Sequence, residues 1–202
     1  MDRVVVLVEG RSDRAALRVL ARRRRGLTSE VEIRAMDGAT NVRRHLHEAL
    51  TDAVTRRVLG LCDEREAPFF LRALAVEGAP VATVRAMQAY GFHTCVRDLE
   101  EELIRALGTD RVRVVLEGLD LDRAFERFRH QQAWRGRPLH SQLHRFAGVV
   151  SGRKSVFARA LAAAVPDDEL PGPMRHLLDH VETALAGPDG PPLAPFTRSS
   201  TA

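Results

Sequence analysis

The chain opens on an unbroken apolar run, Val4-Val5-Val6-Leu7-Val8, set between Arg3 and Glu9. A short run that is apolar on both parities predicts a strand buried on both faces, as inside a parallel sheet. Gly10 supplies a turn. Ser12 then reads as the N-cap of a helix to about Arg25, with Ala16, Leu17, Leu20 and Ala21 on one face. Residues 30–36 predict a second strand. Gly38-Ala39-Thr40-Asn41 reads as turn and cap before a helix to about Leu50. Residues 57–62 predict a third strand, and a helix follows over about 68–76. A helix over 82–90 stops at Gly91, and 92–96 predict a fourth strand. This β-α-β-α-β-α rhythm implies an open α/β sheet with right-handed crossovers.

After Asp98 the strand pattern gives way to helical spacing over 98–107, 109–119, 121–130, 139–147, 151–165 and 173–185. The chain therefore divides into an α/β domain (1–97), a C-terminal helical subdomain (98–186) and a Pro/Gly/Ser-rich tail (187–202) read as disordered. No internal repeat is evident. The length of 202 residues suits one domain, or one with a smaller attachment. With 45% hydrophobic and 29% charged residues, the chain is too apolar for general disorder.

Cys62 and Cys95 stand alone, with no CxxC and no His/Cys cluster, which argues against a zinc site or a disulfide framework. The early apolar run is too short for a signal sequence or a membrane span, so a cytoplasmic protein is expected. The net charge of +4 tolerates a polyanionic partner without demanding one. The 31 basic residues include a single lysine, Lys154.

Candidate chemistry gathers at strand ends. Glu9 closes the first strand at the carboxyl edge, where α/β sheets place their sites. Asp13, one helical turn later, lies in line with Leu17 and Leu20 and so faces the sheet. Asp63 closes the third strand. The bland alternatives are a helix-dipole contact for Asp13 and a solvated strand end for Glu9. Together the three make an all-oxygen donor set, suited to Mg²⁺ or Mn²⁺ rather than zinc. In the helix after Asp98, Glu100 falls inside the stripe of Leu99, Leu103, Ala106 and Leu107, whereas Asp98 and Glu101 fall outside it. A buried glutamate is either a ligand or paired, here with one of many arginines. Lys154 opens a helix on the face of Phe157, Leu161 and Ala164. It is either a surface lysine or a cation that reaches a cleft.

Val-Val-Leu-Val-Glu-Gly-Arg-Ser-Asp, followed by a strand ending in Asp63, resembles the TOPRIM domain of topoisomerases, primases and some nucleases. More narrowly, the chain resembles the TOPRIM nuclease domain of the OLD-family ATP-dependent endonucleases. The matching stretches are 4–13, 36–42 (Met-Asp-Gly-Ala-Thr-Asn-Val), 59–66, 98–108 (Asp-Leu-Glu-Glu-Glu-Leu-Ile-Arg-Ala-Leu-Gly), 132–138 and 151–154 (Ser-Gly-Arg-Lys).

The resemblance implies a Rossmann-like, mostly parallel sheet flanked by helices, and metal-dependent cleavage or nicking of DNA. It implies Glu9, Asp63 and Lys154 as catalytic residues. It implies Glu9, Asp13, Asp63, Glu66 and Glu100 as holders of Mg²⁺ or Mn²⁺, and Arg11, Thr40, Asn41, Arg65 and Arg153 as contacts to DNA. Two departures stand out. The TOPRIM pattern has Asp-x-Asp after the third strand, but Asp63-Glu64-Arg65 puts arginine in the second place, so that one metal position is weakened or passes to Glu66. OLD enzymes also carry an ABC-type ATPase, whereas 148–155 lacks the glycine that a phosphate loop needs at Arg153. Any ATPase is then a separate partner, and a homodimer is compatible. The rival readings are a non-catalytic TOPRIM module that binds nucleic acid or an ATPase, and a TOPRIM nucleotidyl transferase.

The arginine run 22–25 reads as a solvated helix end, with phosphate contacts as the alternative. The histidines, His45, His47 and His140 among them, show no metal-ligand spacing. Trp134 is expected to anchor the helical subdomain rather than stack on a base.

Overall fold

A computed structural model describes residues 3–24, 30–149, 154–186 and 194–196. Four strands, β1 (Arg3–Val8), β2 (Val31–Ala35), β3 (Thr55–Asp63) and β4 (Phe92–Cys95), form one parallel sheet in the order β2-β1-β3-β4. The chain steps from β1 outward to β2 and then returns across β1 to β3. The order therefore reverses at the β1/β3 boundary, and a crevice at their carboxyl ends follows from that topology.

Strand alternation divides the core in two. Val4, Val6, Val8, Leu59 and Leu61 face one side and pack with α1 (Arg11–Arg23), α5 (Leu99–Gly118), α6 (Asp122–Arg129), α7 (Leu139–Val149), α8 (Lys154–Ala164) and α9 (Gly172–Ala186). Val5, Leu7, Val58, Cys62 and Phe92 face the other side and pack with α2 (Val42–Thr51), α3 (Ala67–Val76) and the short α4 (Val84–Met87). The helices after Asp98 thus share a core with the sheet. Among the described residues no helix is long and apolar enough to cross a membrane.

One glycine is required by close approach. A Cβ on Gly60 would lie 2.5 Å from Cδ1 of Phe92, so the β3 backbone seats that ring directly. A second fixes a break. Gly108 adopts φ 71° and ψ 161° inside α5, which separates it into two helical pieces as the separate periodicities of 98–107 and 109–119 imply.

Local details differ from expectation. The N-cap of α1 is Gly10, not Ser12, which is buried in the first turn. Asp13 supplies the missing cap interaction, its Oδ2 accepting from the Gly10 N–H at 2.8 Å. Asn41 does not cap α2 with its side chain; its Nδ2 donates to the Met36 carbonyl at 2.9 Å and holds the β2–α2 loop. Residues 88–90 tighten into a 3₁₀ turn that ends at left-handed Gly91 (φ 81°), so the helix expected over 82–90 contracts to α4. Ala164 is exposed rather than part of the buried face of α8.

Within the arginine run, Arg23 and Arg24 are not solvated but engaged. Nη1 of Arg23 donates to the carbonyls of Ala162 and Val165 at the end of α8, at 3.0 and 2.7 Å, and its Nη2 meets Asp167 at 2.6 Å. Arg24 reaches Asp179 and Glu182 of α9 at 2.6 and 3.2 Å. Arg25 lies outside the described residues. Trp134 stacks on Phe128 with centroids 5.3 Å apart and anchors the α6–α7 connection. Most of the expected disordered tail also lies outside the described residues. Ala194 is described, and its N–H donates to the Ala89 carbonyl at 2.8 Å.

Candidate metal-binding and catalytic edge

Three loops build the carboxyl edge of the sheet. Glu9 directly follows β1, and its carbonyl accepts from the Gly38 N–H at 3.1 Å, which ties the β2–α2 loop to it. Asp63 ends β3, and the Glu64 N–H donates to the Cys95 carbonyl, extending the pairing of β3 with β4. After β4, Arg97 adopts a left-handed conformation (φ 73°) that an L-residue enters at a cost of roughly 1–2 kcal/mol. That turn places Asp98 as the N-cap of α5, its Oδ1 accepting from the Glu101 N–H at 2.8 Å.

Glu100 in the first turn of α5 is 2% exposed, inside the stripe as its helical angle requires. Its Oε1 has no hydrogen-bond donor in good geometry, only Nζ of Lys154 in an ion pair at 3.4 Å. Lys154, at the start of α8, is half exposed, so the sole lysine reaches from solvent over a buried carboxylate. Burial alone would lower its pKa, but Glu100 and Asp13 prevail and raise it.

The acids sense one another. Burial, then the charge of Glu100, push the carboxyl of Asp13 up to about 7, against the Gly10 hydrogen bond and Lys154. Asp63 is pushed up to about 8 by burial, then by Asp13, Glu9, Asp98 and Glu100. Glu9 is raised by burial and by Glu66, which precedes α3, with Lys154 opposing. Glu9, Asp13, Asp63, Glu66 and Glu100 therefore share one field of negative charge. They are not gathered into a finished coordination sphere. Among the described residues, no three His, Cys, Asp or Glu side chains stand close enough together to hold a metal. The oxygen-only donors, the unsatisfied Glu100 oxygen and the raised pKa values suit a hard divalent cation, which would draw these side chains inward.

The expected DNA contacts scatter around this edge. Arg11 is largely exposed, with Nε 3.7 Å from Asp37. Thr40 is exposed, and Asn41 is occupied in its own loop. Arg65 is exposed, and among the described residues no carboxylate pairs with it. Arg153 lies outside the described residues.

Sequence reasoning set Asp98 aside as outside the buried stripe. It is half-buried, its Oδ2 accepts from Nε2 of His144 at 2.7 Å, and its charge reaches Glu9, Asp63 and Lys154. Burial works to raise its pKa, yet the hydrogen bonds from His144 and the Glu101 N–H hold it low. The available signal was the Asp-x-x-Glu cap immediately after a strand.

The fold has counterparts among solved structures. The C-terminal region of the Xanthomonas campestris pv. campestris OLD protein superposes with a TM-score of 0.64 at 23% identity, over 92% of this chain and 97% of that one. The chain has the fold of an OLD C-terminal region. The C-terminal region of the Burkholderia pseudomallei OLD protein agrees, with a TM-score of 0.61 at 19% identity over 92% of this chain and 99% of that one. No protein-family model and no curated protein matches the chain. The OLD-like TOPRIM architecture is thus carried by structure, at identities where sequence comparison falls silent.

Proposed function

We propose that this OLD-like domain hydrolyses phosphodiester bonds in DNA, with Mg²⁺ or Mn²⁺ as cofactor. The observation that carries the reading is the grouping at one sheet edge of Glu9 after β1, Asp13 in the first turn of α1, Asp63 at the end of β3 and the buried Glu100, whose Oε1 lacks a hydrogen-bond donor. Burial and mutual repulsion raise the pKa values of Asp13 and Asp63. A fold without a cationic ligand gains nothing from crowding acids in this way. Glu9, Asp13, Asp63 and Glu100 would hold the cation, and Glu66 extends the set beside Glu9. When bound, a divalent cation supplies charge neutralisation at the phosphoryl oxygens and a more acidic water.

The chain's own residues divide the remaining work. Glu9 accepts a hydrogen bond from, and so orients, the attacking water. Asp63, across the crevice from Glu9, would hold the cation that neutralises the scissile phosphate. Lys154 swings from Glu100 toward a non-bridging oxygen and stabilises charge as it builds in the transition state. The test is incubation of supercoiled plasmid with the protein and Mg²⁺ or Mn²⁺. Nicking that vanishes in Glu9→Ala and Asp63→Ala supports the reading, and nicking by both variants at the parent rate removes it.

A second reading has a specific observation behind it. Arg65 occupies the place of the second TOPRIM acid, exposed and without an anionic partner among the described residues. A non-catalytic module that binds nucleic acid or an ATPase would keep such a cation. Calorimetric titration of Mg²⁺ separates the two, since Arg65→Asp tightens metal binding if the arginine replaces a lost ligand.

A further inference from the structure

A groove lies away from the acid edge, on the side of the sheet covered by α2 and α3. A cavity of about 740 Å³ is lined by Arg43 and His47 of α2, Arg56 and Arg57 at the amino end of β3, Glu77 after α3, and Phe196. An adjoining cavity of about 440 Å³ shares Arg43, His47 and Glu77 and extends to Thr40, Asn41 and Arg44. The two run along α2 from the β2–α2 loop, which is bonded to Glu9, to the opposite edge of the sheet. From Thr40 to Thr51 the path is roughly 16 Å at helical rise.

The groove is lined by more arginines than acids. Glu77 is engaged by His47 at 3.2 Å, and Arg44 is paired with Glu48 at 3.5 Å. Among the described residues no carboxylate lies within ion-pair distance of Arg43 or Arg56. Arg57 donates to the Ala194 carbonyl at 3.3 Å, and burial together with the neighbouring charge of Arg56 lowers its pKa. Arg23, Arg24 and Arg111 by contrast are paired with acids. Phe196 adds an aromatic face, braced edge-on by Tyr90 with centroids 5.6 Å apart.

Unpaired arginines spaced along a channel, with an aromatic ring beside them, are the parts from which proteins build tracks for a single nucleic-acid strand. We infer that this groove binds one strand of DNA, phosphates on Arg43 and Arg56 and a base against Phe196, leading away from the carboxylates at Glu9. The inference rests on the proposed function for the identity of the strand, but binding can be read without cleavage.

Fluorescence anisotropy of a short fluorescein-labelled oligodeoxythymidine, in EDTA and over a range of salt, tests it. Arg43→Glu and Arg56→Glu should each weaken binding about tenfold and reduce the salt slope by about 0.7, the share of one single-strand phosphate contact. Phe196→Ala should weaken it about fivefold or more, as loss of one stacked base does. Arg22→Glu, an exposed change elsewhere, should bind as the parent does. Thermal melts keep folding in view, and both groove arginines are surface residues whose reversal leaves the core intact. Parent-like binding by Arg43→Glu and Arg56→Glu overturns the proposal, as does a preference for duplex of the same sequence. Competition by inorganic polyphosphate, with Phe196→Ala binding like the parent, overturns the nucleic-acid assignment. Binding lost in the groove variants while plasmid nicking is absent with every metal upholds the groove and removes the nuclease. The reverse pattern upholds the nuclease and removes the groove.

Discussion

Glu100 and Glu102 stand two residues apart in the first turn of α5 and are equally buried, each 2% exposed. Glu102 is fully engaged. Its Oε1 accepts from the Val96 N–H at 2.9 Å, and its Oε2 pairs with Arg105. Glu100 shares the edge with the acids at the strand ends, and among the described residues its close cation is the half-exposed Lys154. Burial therefore does not separate a structural acid from a chemical one. Satisfaction does, because an unsatisfied buried carboxylate is a standing cost that a fold keeps only where something else compensates it.

The largest effect to sharpen this contrast is on activity. Glu9→Ala, Asp63→Ala and Glu100→Gln should each abolish metal-dependent nicking while leaving the melting temperature equal or higher, since each removes charge from a self-repelling group. Nicking assays beside thermal melts check both halves, and a sharp loss of stability in Glu100→Gln would make that glutamate structural after all. Next in size, Lys154→Ala should slow single-turnover cleavage by about 10²–10³-fold, as for removal of one transition-state donor. Metal binding should be little changed, and Lys154→Arg should rescue only part, since guanidinium is wider than a compact ammonium. Glu102→Ala should do the opposite. It leaves the Val96 N–H without its partner and should cost about 1–3 kcal/mol in urea unfolding, with the cleavage rate per folded molecule preserved.

The last effect is a gradual slope with pH. Asp13 and Asp63 bind protons more tightly folded than unfolded, with pKa values near 7 and 8 against an ordinary 3.8. Between about pH 4 and pH 8 the folded state therefore holds more protons, and stability falls as pH rises through this range. Melting temperatures followed across pH in EDTA should decline accordingly. Mg²⁺ should flatten the decline, most strongly at the alkaline end.

Much of the fold was legible because parallel strands buried on both faces leave an unmistakable apolar run, as at Val4–Val8, and because Gly91 and Gly108 mark helix ends by their backbone freedom. The inward position of Glu100 followed from angle alone. What stayed hidden depends on contacts distant in sequence. Ser12 looked like a cap because its side chain is the usual one, but Asp13 closes the turn with Gly10 instead. Arg23 looked solvated because its partners lie near residue 165. Asp98 looked peripheral because its placement requires the left-handed turn at Arg97 and a histidine 46 residues later, His144. The placing of acids along strand ends could be read from the chain; their incomplete gathering could not, since side-chain spacing at a sheet edge is set by tertiary packing.

The grip of Arg23 and Arg24 on α8 and α9 carries a consequence for the order in which the molecule comes into being. Helices α1 and α8 both begin at the acid edge, one with Asp13 nearby and the other with Lys154, and are fastened to each other at their far ends. The carboxylates emerge early in synthesis, while the cation that faces Glu100 and the helix that brings it arrive only in the last quarter of the chain. The charged crevice is thus assembled last, when the C-terminal helices dock, and a nascent chain stopped short of α8 carries the acids without the lysine that completes their surroundings.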